Sequence, residues 1–132
     1  MPAGLMIDVA ARTQGTMHMS SVIRLIGALE PATLPVAEKA VRPLVAGGPR
    51  VIIFDLKDLD FVSSTGVGFL LGAKADMEKR KGACYLTNVP PKIRKAFDVM
   101  KALPDAAIFK SVAELDEYLA AIQRKVDEGQ DS

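Results

Sequence analysis

Val51-Ile-Ile-Phe-Asp-Leu-Lys-Asp-Leu-Asp-Phe-Val-Ser-Ser-Thr-Gly-Val-Gly68 is the stretch that decides the fold. Val51, Ile52, Ile53, Phe54 and Leu56 form an apolar run of strand length, rich in β-branched residues. Such a run suits a strand covered on both faces. A tight turn carrying the hydroxyls of Ser63, Ser64 and Thr65 follows, and then a helix begins. The first N–H groups of a helix lack internal partners and carry partial positive charge, so an anion is at home there. A serine in that place can cap the helix, or it can be a site where charge is added and removed.

Outward from this segment, the chain of 132 residues has the usual size of one domain, large enough to bury a single core. A single domain over residues 1–132 is expected, with flexible termini at about 1–5 and 127–132. Hydrophobic residues make up 49% and charged residues 25%, an ordinary globular composition. A formal net charge of +1 gives no electrostatic case for nucleic acid as a partner. One cysteine cannot form an internal disulfide, which fits a reducing cytoplasm better than secretion. Met1 to Met6 shows no signal-peptide pattern, and no run approaches the roughly 20 apolar residues that would insert in a bilayer.

Met6 to Ala11 and Val22 to Ala28 read as strands, with Gln14-Gly15 as a turn signal between them, so an antiparallel hairpin is expected. In the next segment Leu34, Ala37, Val41 and Leu44 share one helical face. Pro35 fits its first turn, Pro43 is expected to kink or end it, and Gly47-Gly48-Pro49 stops it. After the Val51 strand comes a helix from about Thr65 to Lys81, with Gly82 as its C-terminal stop. Ala83 to Asn88 reads as a strand, and Pro90-Pro91 opens a helix with Ile93, Phe97 and Met100 on one face. Ala106 to Phe109 is a last strand. Ser111 and Glu114 form a capping box ahead of a terminal helix striped by Val112, Leu115, Leu119, Ile122 and Val126. The alternation predicts an α/β fold: a mixed, mostly parallel sheet of about five strands with four helices after the N-terminal hairpin.

Few chemistries survive inspection. Gly66-Val-Gly68 opens a helix after a strand, but a dinucleotide fingerprint needs a third glycine where Leu71 stands, and no Walker lysine is present. His18, the single histidine, falls in the expected hairpin turn, with no partner to make it a catalytic base. One histidine and one cysteine cannot build a typical metal site, so neither metal nor cofactor is expected. Cys84 lies in a strand, where cysteine is usually a small buried hydrophobe. Ser64 or Cys84 as a hydrolase nucleophile lacks a neighbouring base. The mixed charges from Lys74 to Lys81, and Lys92, Arg94, Lys95 and Lys101 beyond them, read as solvated positions.

The helix after Ser64 carries a second signal. Phe69, Leu70, Ala73 and Met77 cluster on one side, expected to face the sheet. Ser64, Gly68, Gly72 and Ala75 cluster on another, with Val67 and Leu71 beside them. Glycine inside a helix costs about 1 kcal/mol relative to alanine, so Gly68 and Gly72 need a reason. Either another element of the chain packs tightly there, or a partner docks on a smooth surface.

Phe54-Asp-Leu-Lys-Asp-Leu-Asp-Phe-Val-Ser-Ser-Thr-Gly-Val-Gly68 closely resembles the signature of the STAS domain family, the anti-sigma factor antagonists. In that signature a strand ending in Asp-Leu leads to an Asp-Ser-Ser/Thr-Gly turn and a helix. Gly27-Ala-Leu-Glu30 is similar to the family's Gly-x-Leu-Asp turn, and Pro91-Lys-Ile-Arg-Lys-Ala-Phe97 to its Ser-Pro-x-Val-x-x-x-Phe helix. The resemblance implies the STAS fold and no enzyme activity. It implies a cytoplasmic partner switch: a serine kinase of the ATP-binding GHKL type, which is also the anti-sigma factor, phosphorylates the acceptor, and a phosphoserine phosphatase reverses this. The acceptor falls on Ser64, with Ser63 and Thr65 as the neighbouring hydroxyls. The expected partner-binding residues are Ser63, Ser64, Thr65, Gly66, Val67, Gly68, Leu71, Gly72 and Ala75. Ser63 stands where the family has aspartate. Either kinase recognition differs, or the domain is a scaffold or transport-accessory module that binds a protein or small ligand without phosphorylation.

Overall fold

The computed structural model describes residues 4–14, 18–100 and 108–109. The chain opens with a hairpin of two long strands, β1 (Leu5–Gln14) and β2 (His18–Leu29), antiparallel from Leu5 opposite Gly27 to Gln14 opposite His18. Both strands are longer than their apolar pattern suggests. His18 is the first residue of β2, not a turn residue. Helix α1 (Leu34–Gly47) follows, then β3 (Val51–Asp55), β4 (Leu59–Val62), α2 (Ser64–Lys79), β5 (Ala83–Thr87), α3 (Pro91–Met100) and β6 (Ile108–Phe109). The strands form one sheet in the order β1-β2-β3-β5-β6, and every pairing after the hairpin is parallel. This is the mixed, mostly parallel sheet expected. The terminal helix and its capping box lie outside the described residues, as do positions 1–3 and 127–132 of the expected flexible termini, whereas Leu5 already pairs with Gly27 in β1.

One strand was not expected. β4 pairs with β2 beyond the end of β3, through a register shift between Gly27 and Ala28. Gly27 makes this possible. Its φ is +115°, and a Cβ there would lie 2.2 Å from the Gly4 carbonyl oxygen, so only glycine fits without strain. Arg24 donates from Nε to Asp58 Oδ2 at 2.9 Å, tying β2 to the β3–β4 turn.

The core collects Ile23, Leu25 and Leu29 of β2, Ile52 and Phe54 of β3, and Leu56, against Ala37 and Val41 of α1, Val67, Leu70 and Met77 of α2, and Ile93 and Phe97 of α3. Ile53, whose side chain alternates to the opposite face of β3, is also buried. The doubly covered strand inferred from the apolar run is therefore what forms.

Two helix ends depart from expectation. Pro43 lies inside α1 without ending it. It is exposed and one turn from the C-terminus, so the cost falls on a single hydrogen bond, the one to the Lys39 carbonyl. At the end of α2 the left-handed residue is Lys81 (φ 63°), not Gly82. The Lys81 and Gly82 N–H groups close the last turn onto the Glu78 and Met77 carbonyls at 3.0 and 2.7 Å. Arg80 is not merely solvated: Nη1 donates to the Val45 carbonyl at 2.7 Å and the Pro49 carbonyl at 3.3 Å, gripping the C-terminal end of α1.

Candidate functional site

The site is the junction where β4 hands over to α2. Ser63 leaves β4 in an extended conformation, φ −89° and ψ 172°, and its Oγ accepts from the Gly66 N–H at 3.1 Å, capping the helix. Its own N–H donates to the Leu29 carbonyl at 2.9 Å, fixing the junction to β2. The helix starts with no acidic residue in its first turn, so nothing there offsets the positive end of its dipole.

The three hydroxyls are not equivalent. Ser63 is half-buried and spent on the cap. Thr65 is exposed, and its Oγ1 lies 2.8 Å from Ser63 Oγ in a hydrogen bond between the two side chains. Ser64 is exposed, and among the described residues its hydroxyl has no hydrogen-bond partner.

Gly66 and Val67 are both buried and offer no side-chain surface to a visitor. A Cβ on Gly66 would lie 2.5 Å from the Leu29 carbonyl oxygen, so this glycine lets the helix sit hard against β2. Val67 belongs to the inward face with Leu70, Ala73 and Met77, whereas the helical wheel put it beside the small residues. Phe69, expected against the sheet, is half-buried at the edge of a shallow groove of about 240 Å³ between α1 and α2.

The outward face reads differently. Ser64, Gly68, Gly72 and Ala75 are all exposed, and Leu71 is half-buried beside them. A Cβ built at Gly68 or Gly72 would meet nothing within 4 Å among the described residues. Tight packing by another described element is therefore not the reason for these two glycines.

On the other side of Ser64 a second groove, of about 440 Å³, separates β4 and the start of α2 from α3. Phe61, Val62, Ile93 and Ala96 supply its apolar lining, while Asp60, Lys92 and Lys95 bring charge to it. Phe61 is a large hydrophobic residue left 50% exposed. Sequence reasoning missed this groove because β4 was not foreseen.

The other candidates fall away from the junction. Cys84 is buried in β5, and desolvation pushes its thiol pKa up to about 12. At neutral pH it is a protonated, inert side chain, as its strand position implied. Among the described residues no three metal-ligating side chains come together, and no helix is long and apolar enough to cross a membrane.

Residues 8–115 match the family model described as the STAS domain. The anti-sigma F factor antagonist of Lysinibacillus sphaericus is 36% identical over 77 residues, which is 58% of this chain and 66% of that protein. The Bacillus cell fate determinant SpoIIAA in its phosphorylated form superposes with a TM-score of 0.67 at 23% identity, covering 86% of this chain and 99% of that one. A sulfate transporter family protein from Wolinella succinogenes superposes with a TM-score of 0.66 at 17% identity, covering 80% of this chain and 88% of that one.

Proposed function

This chain belongs to the STAS domain family, and from that premise we propose that it is, as a single domain, an anti-sigma factor antagonist switched by phosphorylation at Ser64. The observation that carries the reading is the division of labour among three adjacent hydroxyls. Ser63 is committed to the cap and Thr65 to Ser63, while Ser64 is exposed without a partner among the described residues. Similarity to the anti-sigma F factor antagonist supports the class of partner.

In the unmodified state the exposed face of Ser64, Gly68, Leu71, Gly72 and Ala75 receives the anti-sigma factor. That partner is also an ATP-binding serine kinase. It passes the γ-phosphoryl group of ATP to Ser64 Oγ, ADP leaves, and the hydroxyl proton goes to a base on the kinase. The product carries about −1.5 to −2 charge at the N-terminal edge of the docking face. Desolvating that charge, or setting it against a carboxylate of the partner, costs enough to undo a micromolar contact. The helix N-terminus tolerates the phosphate, so the domain stays folded while binding is lost. A phosphoserine phosphatase resets the switch.

A second reading is favoured by Ser63 itself. It keeps the cap hydrogen bond but carries no charge where the family signature has aspartate. A STAS scaffold or transport-accessory domain would need the cap and not the phosphate. Incubation with the kinase and ATP, followed by mass spectrometric mapping, separates the two. The switch predicts one phosphate, on Ser64, that is absent from Ser64→Ala. An unmodified chain under conditions where the kinase is active supports the second reading.

A further inference from the structure

The groove between β4 and α3 is built from the same junction as Ser64, which is one of its lining residues together with Ser63, Val67, Lys92 and Lys95. It lies on the opposite side of Ser64 from the glycine face of α2. Its charges sum in one direction. Lys92 and Lys95 are exposed on successive positions of one side of α3, three residues apart. Asp60 of β4 is the single carboxylate among the described lining residues. The residue preceding Ser64 is an uncharged serine, and the first turn of α2 holds no acid. Among the described residues lining the groove that Ser64 shares, two cations and a helix N-terminus therefore outweigh one carboxylate.

Resting on the phosphorylation of Ser64 argued above, we propose that this groove is a phosphoserine-binding site in cis. Lys92 and Lys95 take the phosphoryl group of modified Ser64 and hold it over Val62 and Ala96, on the α3 side of the junction. The dianion is the chemistry two ammonium groups and exposed N–H groups recognise. Lysines on flexible stems reach a group that is absent in the unmodified chain without needing it for their own placement. The role of α3 in this chain thereby extends beyond covering the sheet. It supplies the counter-charge that the modified state requires and the unmodified state leaves in solvent.

The test needs no partner protein. Phosphoserine is installed at position 64 by amber-codon suppression, and its second ionisation is followed by ³¹P NMR in low salt. The folded chain is expected to titrate below an unfolded peptide of residues 60–68 carrying the same phosphoserine. The pair Lys92→Ala and Lys95→Ala raises the pKa by about half a unit, as loss of two cations at several ångströms in water requires. The pair Lys79→Ala and Lys81→Ala, at the far end of α2, leaves it in place. All four lysines are exposed, so both double variants fold. A Lys92/Lys95 variant that titrates with its parent overturns the proposal. Such a result leaves the partner switch standing, whereas failure of a kinase to modify Ser64 removes the switch without altering this titration.

Discussion

At the scale of single residues, Ser63 and Ser64 are neighbours with separate tasks, and their substitution separates them. Ser63→Ala deletes the acceptor for the Gly66 N–H and is expected to lower stability by about 1 kcal/mol, the usual worth of an N-cap. Ser64→Ala removes an exposed hydroxyl with no partner among the described residues, and its effect should stay within about 0.5 kcal/mol. Urea unfolding of both variants checks the contrast. Equal losses would mean that the cap is not where the structure places it. The sequence made the hydroxyl cluster visible but not this ranking. Which oxygen faces the Gly66 N–H depends on how tightly β4 and the Leu29 carbonyl hold the junction, and neither is a local property.

At the scale of elements, α2 presents two faces with opposite demands. The inward face of Gly66, Val67, Leu70, Ala73 and Met77 is buried against the sheet. A Cβ on either outward glycine would meet nothing within 4 Å among the described residues. Helix propensity alone then predicts that Gly68→Ala and Gly72→Ala stabilise the fold by roughly 0.5–1 kcal/mol each. If the face docks a partner, the added methyl groups weaken that contact, so stability and affinity move in opposite directions. Thermal unfolding and titration calorimetry on the same variants measure both, and a variant that gains both contradicts docking on this face. Period-3.6 spacing located the helix and its apolar stripe. It misassigned Val67 and Phe69 because a wheel cannot tell where β2 and α1 press on the helix. β4 was hidden for a related reason. Leu59 to Val62 is short, and Asp60 interrupts its apolar pattern. Its pairing is created by Gly27, more than thirty residues upstream.

At the scale of the whole molecule, the described sheet and helices form a frame that presents one junction. The hairpin, the parallel strands and α3 were all legible, because strand-length apolar runs alternate with amphipathic helices between glycine and proline breaks. What was not legible is how distant parts are fastened. Arg80 sits in a run of mixed charge that reads as solvated, yet it grips the Val45 and Pro49 carbonyls at the end of α1. Arg80→Ala should therefore cost about 1–2 kcal/mol. Arg80→Lys should recover only part of that, since a point ammonium cannot serve several carbonyls as a planar fork does. Denaturant midpoints for the three proteins test this, and an unchanged midpoint for Arg80→Ala would show the contact to be idle. The frame matters because the switch asks for a change in surface charge without a change in shape. The most direct measurement is the affinity of the cognate anti-sigma factor for the unmodified chain and for the chain carrying phosphoserine at position 64, by titration calorimetry with both forms shown folded by circular dichroism. A phosphorylation switch predicts that the phosphate weakens binding at least about a hundredfold, a change of about 2.7 kcal/mol, with the spectra superimposable. Equal affinities for the two forms would contradict it.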